Sequence, residues 1–366
     1  MRCMSSPLNG LARYPIVQAP MAGGASCPPL AAAVCEAGAL GFLAGGYKTA
    51  DGMYQEVKRL RALTRRPFGV NLFMPQTGHA DPAAIETYRG QLAGEGSWYD
   101  VSLAEEDTAG TSDDGYDAKL AILLDDPVPA VSFTFGCPAP QALAALRRAG
   151  TYSIVTATSV DEARAAEAAG ADAVCVQGVE AGGHQGTHRD DPQADATAGV
   201  GLLALVAQIR EAVGLPIIAA GGLMRGSQIA ALLAAGAEAA QLGTAFLPCP
   251  ESGAHPLHKK ALTDPLFPHT ELTRAFSGRP ARGLVNRFMR EHGPYAPAAY
   301  PQVHHITAGL RKAAAAAGDP QGMALWAGQG HRLARALPAG QLVEVLAAEI
   351  AEAQSALNDM QKRSTS

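Results

Sequence analysis

One unit keeps returning along this chain: a short apolar run, a turn, an alanine-rich stretch, a glycine, then another apolar run. The segments EAAGADAVCV (167–176) and LAAGAEAAQL (233–242) show it most plainly. Each closes a predicted helix at a glycine (Gly170, Gly236), crosses on an acidic residue and enters a predicted strand, and Gly38 and Gly150 mark the same junction. Glycine suits the residue after a helix C-terminus because the left-handed backbone there crowds a Cβ. Helix starts are marked as well. Ser159 with Glu162 reads as a capping box, and Ser227 opens IAALLAAG.

The apolar, β-rich runs predict eight strands: PIVQAP (15–20), LGFLAGG (40–46), PFGVNLFMP (67–75), AVSFTFG (130–136), YSIVTATS (152–159), AVCVQG (173–178), PIIAAGG (216–222) and AAQLGTAFL (239–247). Strand–helix alternation implies an α/β protein with a parallel sheet, and eight units imply a (β/α)8 TIM barrel rather than an open sheet. Two regions break the repeat. Residues 97–117 are polar and acidic and predict an excursion between the third and fourth strands. Residues 248–337 are rich in Pro and His with short helical pieces, and predict a smaller, mainly helical substrate or lid domain over one barrel end. The expected organisation is therefore a barrel over 1–247, the smaller domain over 248–337, and an amphipathic helix with a tail over 338–366 packing back on the barrel.

Composition narrows the class. In 366 residues the charged fraction is 17% and the hydrophobic fraction 48%, ample for a large core; ordinary globular proteins carry roughly 25% charged residues. The net charge of −5 and the absence of a long basic cluster argue against a nucleic-acid partner. Neither a signal-peptide-length apolar run at the N-terminus nor a membrane-spanning stretch is visible, and the six cysteines form no CxxC pair. The expectation is a cytoplasmic protein with free thiols.

Barrel chemistry sits at the C-terminal ends of the strands. Those ends carry APMAGG (19–24), Gly45–Gly46, Asn71, Phe135–Gly136, Thr158, Gln177–Gly178, Gly221–Gly222 and Gly243–Thr244. No cluster of carboxylates or cysteines for a metal stands among them. The glycines after the seventh and eighth strands occupy the place where barrels bind phosphate, so Gly221, Gly222, Gly243 and Thr244 form a candidate phosphate grip; the alternative is that they only make tight turns. Asn71 and Gln177 offer both donor and acceptor, as a flavin or purine ring requires, or else they satisfy loop backbone. The stretch VQGVEAGGHQGTHRD (176–190) sets His184 and His188 four apart, the spacing of a zinc hydrolase. That reading fails on its own terms. Gln185 stands where such an enzyme needs a glutamate base, and Gly182, Gly183 and Gly186 oppose a helix. No metal is expected, and His188 is expected to be structural. Arg279 and Arg282 in SGRPARG are open to two readings, attraction of an anionic substrate or salt bridging at the surface. Cys137 lacks a base partner and reads as a structural thiol.

Several of these stretches together resemble one family. PIVQAPMAGG, PFGVNLFMP, VSFTFGCP, QGVEAGGHQGTH, PIIAAGG, QLGTAFL and SGRPARGLVNRF, running from residue 15 to about residue 290, with LWAGQG further on, are similar to the nitronate monooxygenases, formerly called 2-nitropropane dioxygenases. The resemblance implies an FMN enzyme on a (β/α)8 barrel. It implies FMN contacts at Asn71, Gln177, Gly182, Gly222 and the run Gln241, Leu242, Gly243, Thr244, a flavin-lining Met21, and a catalytic His184. The implied reaction is oxidation of an alkyl nitronate, propionate 3-nitronate being one candidate, by O2 through one-electron flavin chemistry to a carbonyl compound and nitrite, a detoxification. A neutral His184 would take the α-proton of a nitroalkane, and a cationic one would hold nitronate oxygens. Two alternatives remain: a flavin enoyl-acyl carrier protein reductase using NAD(P)H, which shares the glycine–histidine loop, and a flavin-binding protein without catalysis. The expected partners are the small nitronate and O2, with a monomer or homodimer as the assembly.

Overall fold

The computed structural model describes residues 7–76, 80–103, 113–191 and 199–364; Cys3 and residues 104–112 of the acidic stretch lie outside them. Eight strands fall within the eight predicted runs: β1 (Ile16–Gln18), β2 (Gly41–Ala44), β3 (Phe68–Phe73), β4 (Ala130–Thr134), β5 (Tyr152–Ala157), β6 (Ala173–Gln177), β7 (Ile217–Ala220) and β8 (Ala239–Leu242). They pair in parallel in the order β1-β8-β7-β6-β5-β4-β3-β2. The ring closes between β1 and the entry to β2, where Gln18 N donates to Leu40 O at 2.9 Å and Leu40 N to Ile16 O at 3.0 Å. The fold is the predicted TIM barrel.

Side-chain alternation explains how both faces are filled. Val17, Phe42, Ala130, Ile154, Ala173, Cys175, Ile218 and Ala239 meet inside the barrel. Their neighbours Ile16, Leu43, Val70, Val131, Val155, Val174, Ile217 and Ala240 face the surrounding helices. Gly69 leaves room for the large Phe42, since a Cβ there would lie 2.2 Å from the Phe42 ring. Two residues further along several strands the inward positions turn polar: Asn71, Ser132, Thr156, Gln177 and Gln241. The barrel is thus an apolar plug at one end and a polar floor at the other.

The junctions follow the sequence with two corrections. Gly170 caps its helix at φ +88°, and Gly38, Gly150 and Gly236 take φ of 92°, 80° and 100°. Ser159 accepts from Glu162 N at 3.3 Å, but the Glu162 carboxylate does not complete a capping box; it takes Thr158 N at 2.6 Å and His188 N at 2.7 Å. Ser227 lies inside the helix Gly226–Ala234 rather than at its start. That start is covered by Gln228 Oε1, which accepts from Met224 N and Arg225 N, and by Glu349, which accepts from Gly226 N at 2.6 Å.

A cap covers the polar end. It contains residues beyond 248, but Ile85, Tyr88 and Leu92 of the helical pair Pro82–Gln91 and Ala93–Tyr99 share its apolar cluster with Phe276, Phe288, Val303 and Leu310. The chain after β3 therefore builds part of the cap, which the expected boundary at 248 leaves out. A small antiparallel sheet of Thr270–Thr273, Ala281–Leu284 and Gly183–His184 ties the cap to the loop after β6. The helix Ala339–Ser364 lays Leu342, Val343, Leu346 and Ile350 into the layer around the barrel. Among the described residues no helix is long and apolar enough to cross a membrane.

Candidate active site

The cap and the C-terminal ends of the strands enclose a cavity of about 380 Å³, within the range typical of cofactor and small-ligand sites. The residues expected from the sequence to hold a cofactor or do chemistry all line it: Met21, Asn71, Gln177, Gly182, His184, Gly221, Gly222, Gln241, Leu242, Gly243 and Thr244. Three kinds of material meet there.

The floor is made of amides and hydroxyls. Asn71 Nδ2 donates to Ser132 O at 3.2 Å, Ser132 Oγ at 3.0 Å and Thr134 Oγ1 at 3.0 Å, while its side-chain Oδ1 accepts from no described residue. Asn71 therefore presents an oriented acceptor. Gln177 is used differently. Its Nε2 donates to His184 O at 3.1 Å and its Oε1 accepts from Gly186 N at 2.7 Å. It satisfies loop backbone and also lines the cavity, with a second Nε2–H left over. Gln241 Nε2 reaches Cys175 Sγ at 3.3 Å.

One wall is backbone. Gly221 and Gly222 take φ of 137° and 66°, which a Cβ would strain. The backbone N–H groups of Gly222, Leu223, Gly243 and Thr244 donate to no described residue. Thr244 Oγ1 accepts from Gly328 N at 2.9 Å, leaving its own proton to give. Behind this wall three loops touch backbone to backbone. A Cβ on Gly182 would lie 2.5 Å from Gly328 N, and one on Gly330 would lie 2.3 Å from Gly222 O. Glu180 stays out of the chemistry: its carboxylate oxygens accept from Leu202 N at 2.9 and 3.0 Å, fixing the start of the next helix.

The roof is aromatic and basic. His184 packs edge-on to Phe135 and Tyr300, and beside Trp326, with centroids at 5.7 Å in each case. Its Nε2 lies 2.9 Å from Ser277 Oγ. The Ser277 hydroxyl donates to Arg279 O at 3.2 Å, so it accepts from Nε2–H and leaves Nδ1 as a bare lone pair. Nδ1 bonds to no described residue and is not sealed from the cavity. Burial, then the positive charges of Arg279 and Arg311, push the His184 pKa down to about 3, so the ring is neutral at working pH. His304 stacks flat on Tyr47 at 4.2 Å and 6°. Arg311, on the same helix (Gln302–Ala316), donates to His304 O at 2.9 Å and to His304 Nδ1 at 3.3 Å. The Arg311 guanidinium lines the cavity without a carboxylate partner among the described residues.

The comparisons with known proteins bear on this cavity. A family model for nitronate monooxygenase matches residues 5–349. A nitronate monooxygenase of Pseudomonas aeruginosa is 43% identical over 92% of this chain and 96% of its own, and one of Paraburkholderia phytofirmans is 41% identical over 94% of each. The chain belongs to the nitronate monooxygenase family. It is an oxidoreductase of a family of flavoenzymes that act on nitro compounds. A solved structure of nitroalkane oxidase from Streptomyces ansochromogenes superposes with a TM-score of 0.93 at 71% identity, covering 96% of this chain and 99% of that one. FabK from Thermotoga maritima shares the fold at 28% identity and a TM-score of 0.72, over 96% and 98% of the two chains.

Neither Arg279 nor Arg282, the two arginines left open between an anion and a surface salt bridge, lines the cavity. Arg279 is almost wholly buried and spent on Thr187 O, Thr187 Oγ1 and Gln76 Oε1, with its guanidinium 4.2 Å from the Phe135 centroid. Arg282 holds Val179 O at 2.9 Å and Thr270 O at 3.2 Å. Both fix loops, and neither makes the surface salt bridge that was the alternative. Arg311 is the cation in the cavity. The signal for it was present in the i, i+7 spacing of His304 and Arg311, which puts both on one helix face. His188 is structural, its Nε2 donating to Thr156 O at 2.8 Å. Cys137 lies outside the cavity, and burial raises its thiol to about 11. Among the described residues the one cluster with metal-ligand spacing is Glu95, Glu291 and His292, far from the cavity lining and already occupied by Arg287.

Proposed function

We propose that this nitronate monooxygenase binds FMN in the cavity and oxidises small alkyl nitronates with O2 to a carbonyl compound and nitrite. The observation that carries the reading is a neutral, bare His184 Nδ1 facing a cavity that is also lined by a guanidinium, that of Arg311, with no carboxylate partner among the described residues. The donor set suits FMN. Four free N–H groups and the Thr244 hydroxyl match a phosphate, the Asn71 carbonyl matches a ring N–H, and side chains on Gly221 or Gly222 would strain the wall that meets the cofactor. Bound there, FMN would supply the redox chemistry that oxidation of a nitronate needs.

The chain's own residues do the rest. Arg311 offsets the charge of the nitronate in a cavity enclosed between barrel and cap, where one charge counts for more than in bulk solvent. With a neutral nitroalkane, His184 Nδ1 takes the α-proton, and Ser277 holds the ring so that this nitrogen faces inward. The role of a cationic clamp, expected as one option for His184, falls to Arg311 because burial keeps the imidazole uncharged. Met21, Phe73 and Trp326 line the site with apolar surface and limit the size of the alkyl group.

The test is to mix the purified yellow protein with a small alkyl nitronate. We expect a change in flavin absorbance without air and stoichiometric nitrite with it. The second reading is the flavin enoyl reductase that the glycine–histidine loop also resembles; rapid NAD(P)H consumption with an enoyl substrate, and no nitrite, would select it. A yellow protein inert in both assays would be a flavin-binding protein only.

A further inference from the structure

The cavity holds a second histidine whose chemistry the proton-abstraction scheme does not use. His304 Nδ1 accepts from Arg311 at 3.3 Å. A guanidinium can only donate, so Nδ1 carries the lone pair and the ring proton sits on Nε2. Nε2 bonds to no described residue and is not sealed away, and the ring lines the cavity. The stack on Tyr47 at 4.2 Å fixes the plane of the ring, and the Arg311 bonds to both Nδ1 and the His304 carbonyl fix its rotation. The two cavity histidines thus have opposite polarity. His184 turns a lone pair inward, and His304 turns an N–H inward, each tautomer set by a neighbour that is not itself a base.

We propose that His304 is a substrate-contacting residue, its Nε2–H donating to a nitro or nitronate oxygen while His184 faces the α-carbon. The inference rests on the proposed nitro-compound reading of the cavity and adds a residue to it. The physical argument is one of charge development. As the α-proton leaves to His184 Nδ1, the C–H electron pair becomes the C=N bond and negative charge moves onto the nitro oxygens. A donor already aimed there stabilises the transition state more than the neutral ground state, and needs no reorganisation to do so. Arg311 polarises the donor from behind without meeting the substrate's alkyl part. A preformed nitronate carries the charge from the start, so there the same bond contributes to binding and little to the rate.

The experiment compares His304→Phe, which keeps the stack on Tyr47 but removes the donor, with His304→Gln, which keeps an N–H donor. Removing one such donor typically costs ~10²–10³-fold in rate. In His304→Phe we expect that loss in kcat on a neutral nitroalkane, but about tenfold or less on a preformed nitronate, appearing in KM. His304→Gln is expected to stay within about tenfold of the parent on both. Flavin content of both variants is expected to match the parent. Equal losses on the two substrates, or lost flavin, would assign His304 a merely structural part and overturn the proposal, as would an unaffected His304→Phe. Calorimetry with isobutyrate, a planar two-oxygen anion, reads the contact without turnover: binding about tenfold weaker in His304→Phe is expected, and unchanged binding would overturn it. If the parent releases no nitrite from any nitro compound, the functional reading falls, while the isobutyrate measurement still decides whether His304 holds an anion.

Discussion

The two sides of the cavity are built on different principles. The wall formed by Gly182, Gly221, Gly222 and Gly243 works through backbone: the N–H groups of Gly222, Leu223, Gly243 and Thr244 donate to no described residue, and other backbone passes close behind Gly182 and Gly221. The roof formed by Tyr47, His184, Tyr300, His304 and Arg311 works through side chains fixed by one another. The wall belongs to the barrel, and the roof belongs mostly to the cap. A backbone wall suits a cofactor that every turnover requires, whereas a side-chain roof can be altered residue by residue to change what is oxidised.

That division can be broken experimentally, starting with the largest effect. Gly222→Val places a β-branched residue at φ +66° with its Cβ 3.1 Å from that of Glu180; such strain is on the order of 1–3 kcal/mol before the clash is counted. We expect a folded protein that purifies colourless and inactive; a fully yellow, active variant would end the view of the wall as the cofactor's seat. His184→Asn is expected to stay yellow and lose ~10²–10⁴-fold on neutral nitroalkanes, the usual weight of a general base, with nitronate oxidation largely kept. Loss on both substrates alike would remove the base assignment.

The next effect is one of pH. Because His184 is held down to about 3, kcat/KM on a neutral nitroalkane should show no acid-side inflection near the ordinary imidazole value; an inflection there would mean the ring titrates normally in the working enzyme. Stability carries the same sign. His184, His258 and His304 are lowered to about 3, 4 and 2 in the fold, mainly by burial, while in the unfolded chain they titrate near 6.5. As pH falls below about 6.5 the unfolded state takes up protons that the fold refuses, so stability drops progressively from there. Thermal melts between pH 7 and pH 5 should show Tm falling, and less steeply in His304→Phe. The smallest effect is expected from His188→Ala, which removes one bond to Thr156 O at the cost of about 1 kcal/mol, with turnover unchanged.

The same division explains what the sequence made legible. The barrel and its wall are local in the chain: a strand, its glycines and a helix start appear within about ten residues, so PIIAAGG and QLGTAFL announce their place at the barrel mouth. Asn71 could be read as a floor residue because inward and outward positions alternate along β3. Gln177 could not be fully read, because its amide is partly consumed by backbone seven and nine residues away. The roof is non-local. Arg311 sits in HHITAGLRKAAAA, which looks like a solvated helix, and only the packing of that helix over the barrel mouth makes it a cavity cation. Arg279 and Arg282 stand in a more conspicuous motif and are used up by carbonyls. The part played by the segment after β3 in the cap was hidden for the same reason, since Tyr88 meets the Ala275 carbonyl at 2.7 Å across nearly two hundred residues.

The three-loop contact behind the wall has a kinetic consequence. The strap around Trp326–Gly330 is pinned to the barrel by Gln329 N on Glu180 O at 3.0 Å and Gly328 N on Thr244 Oγ1 at 2.9 Å, against the glycines that form the wall. The residues proposed to face the cofactor and those tethering the cap are thus the same few loops. We therefore expect cofactor exchange to wait on the parting of the seam, a breathing motion of the strap, rather than on the rupture of any single contact. Hydrogen exchange at Gly328 and Gln329 would act as a clock for it.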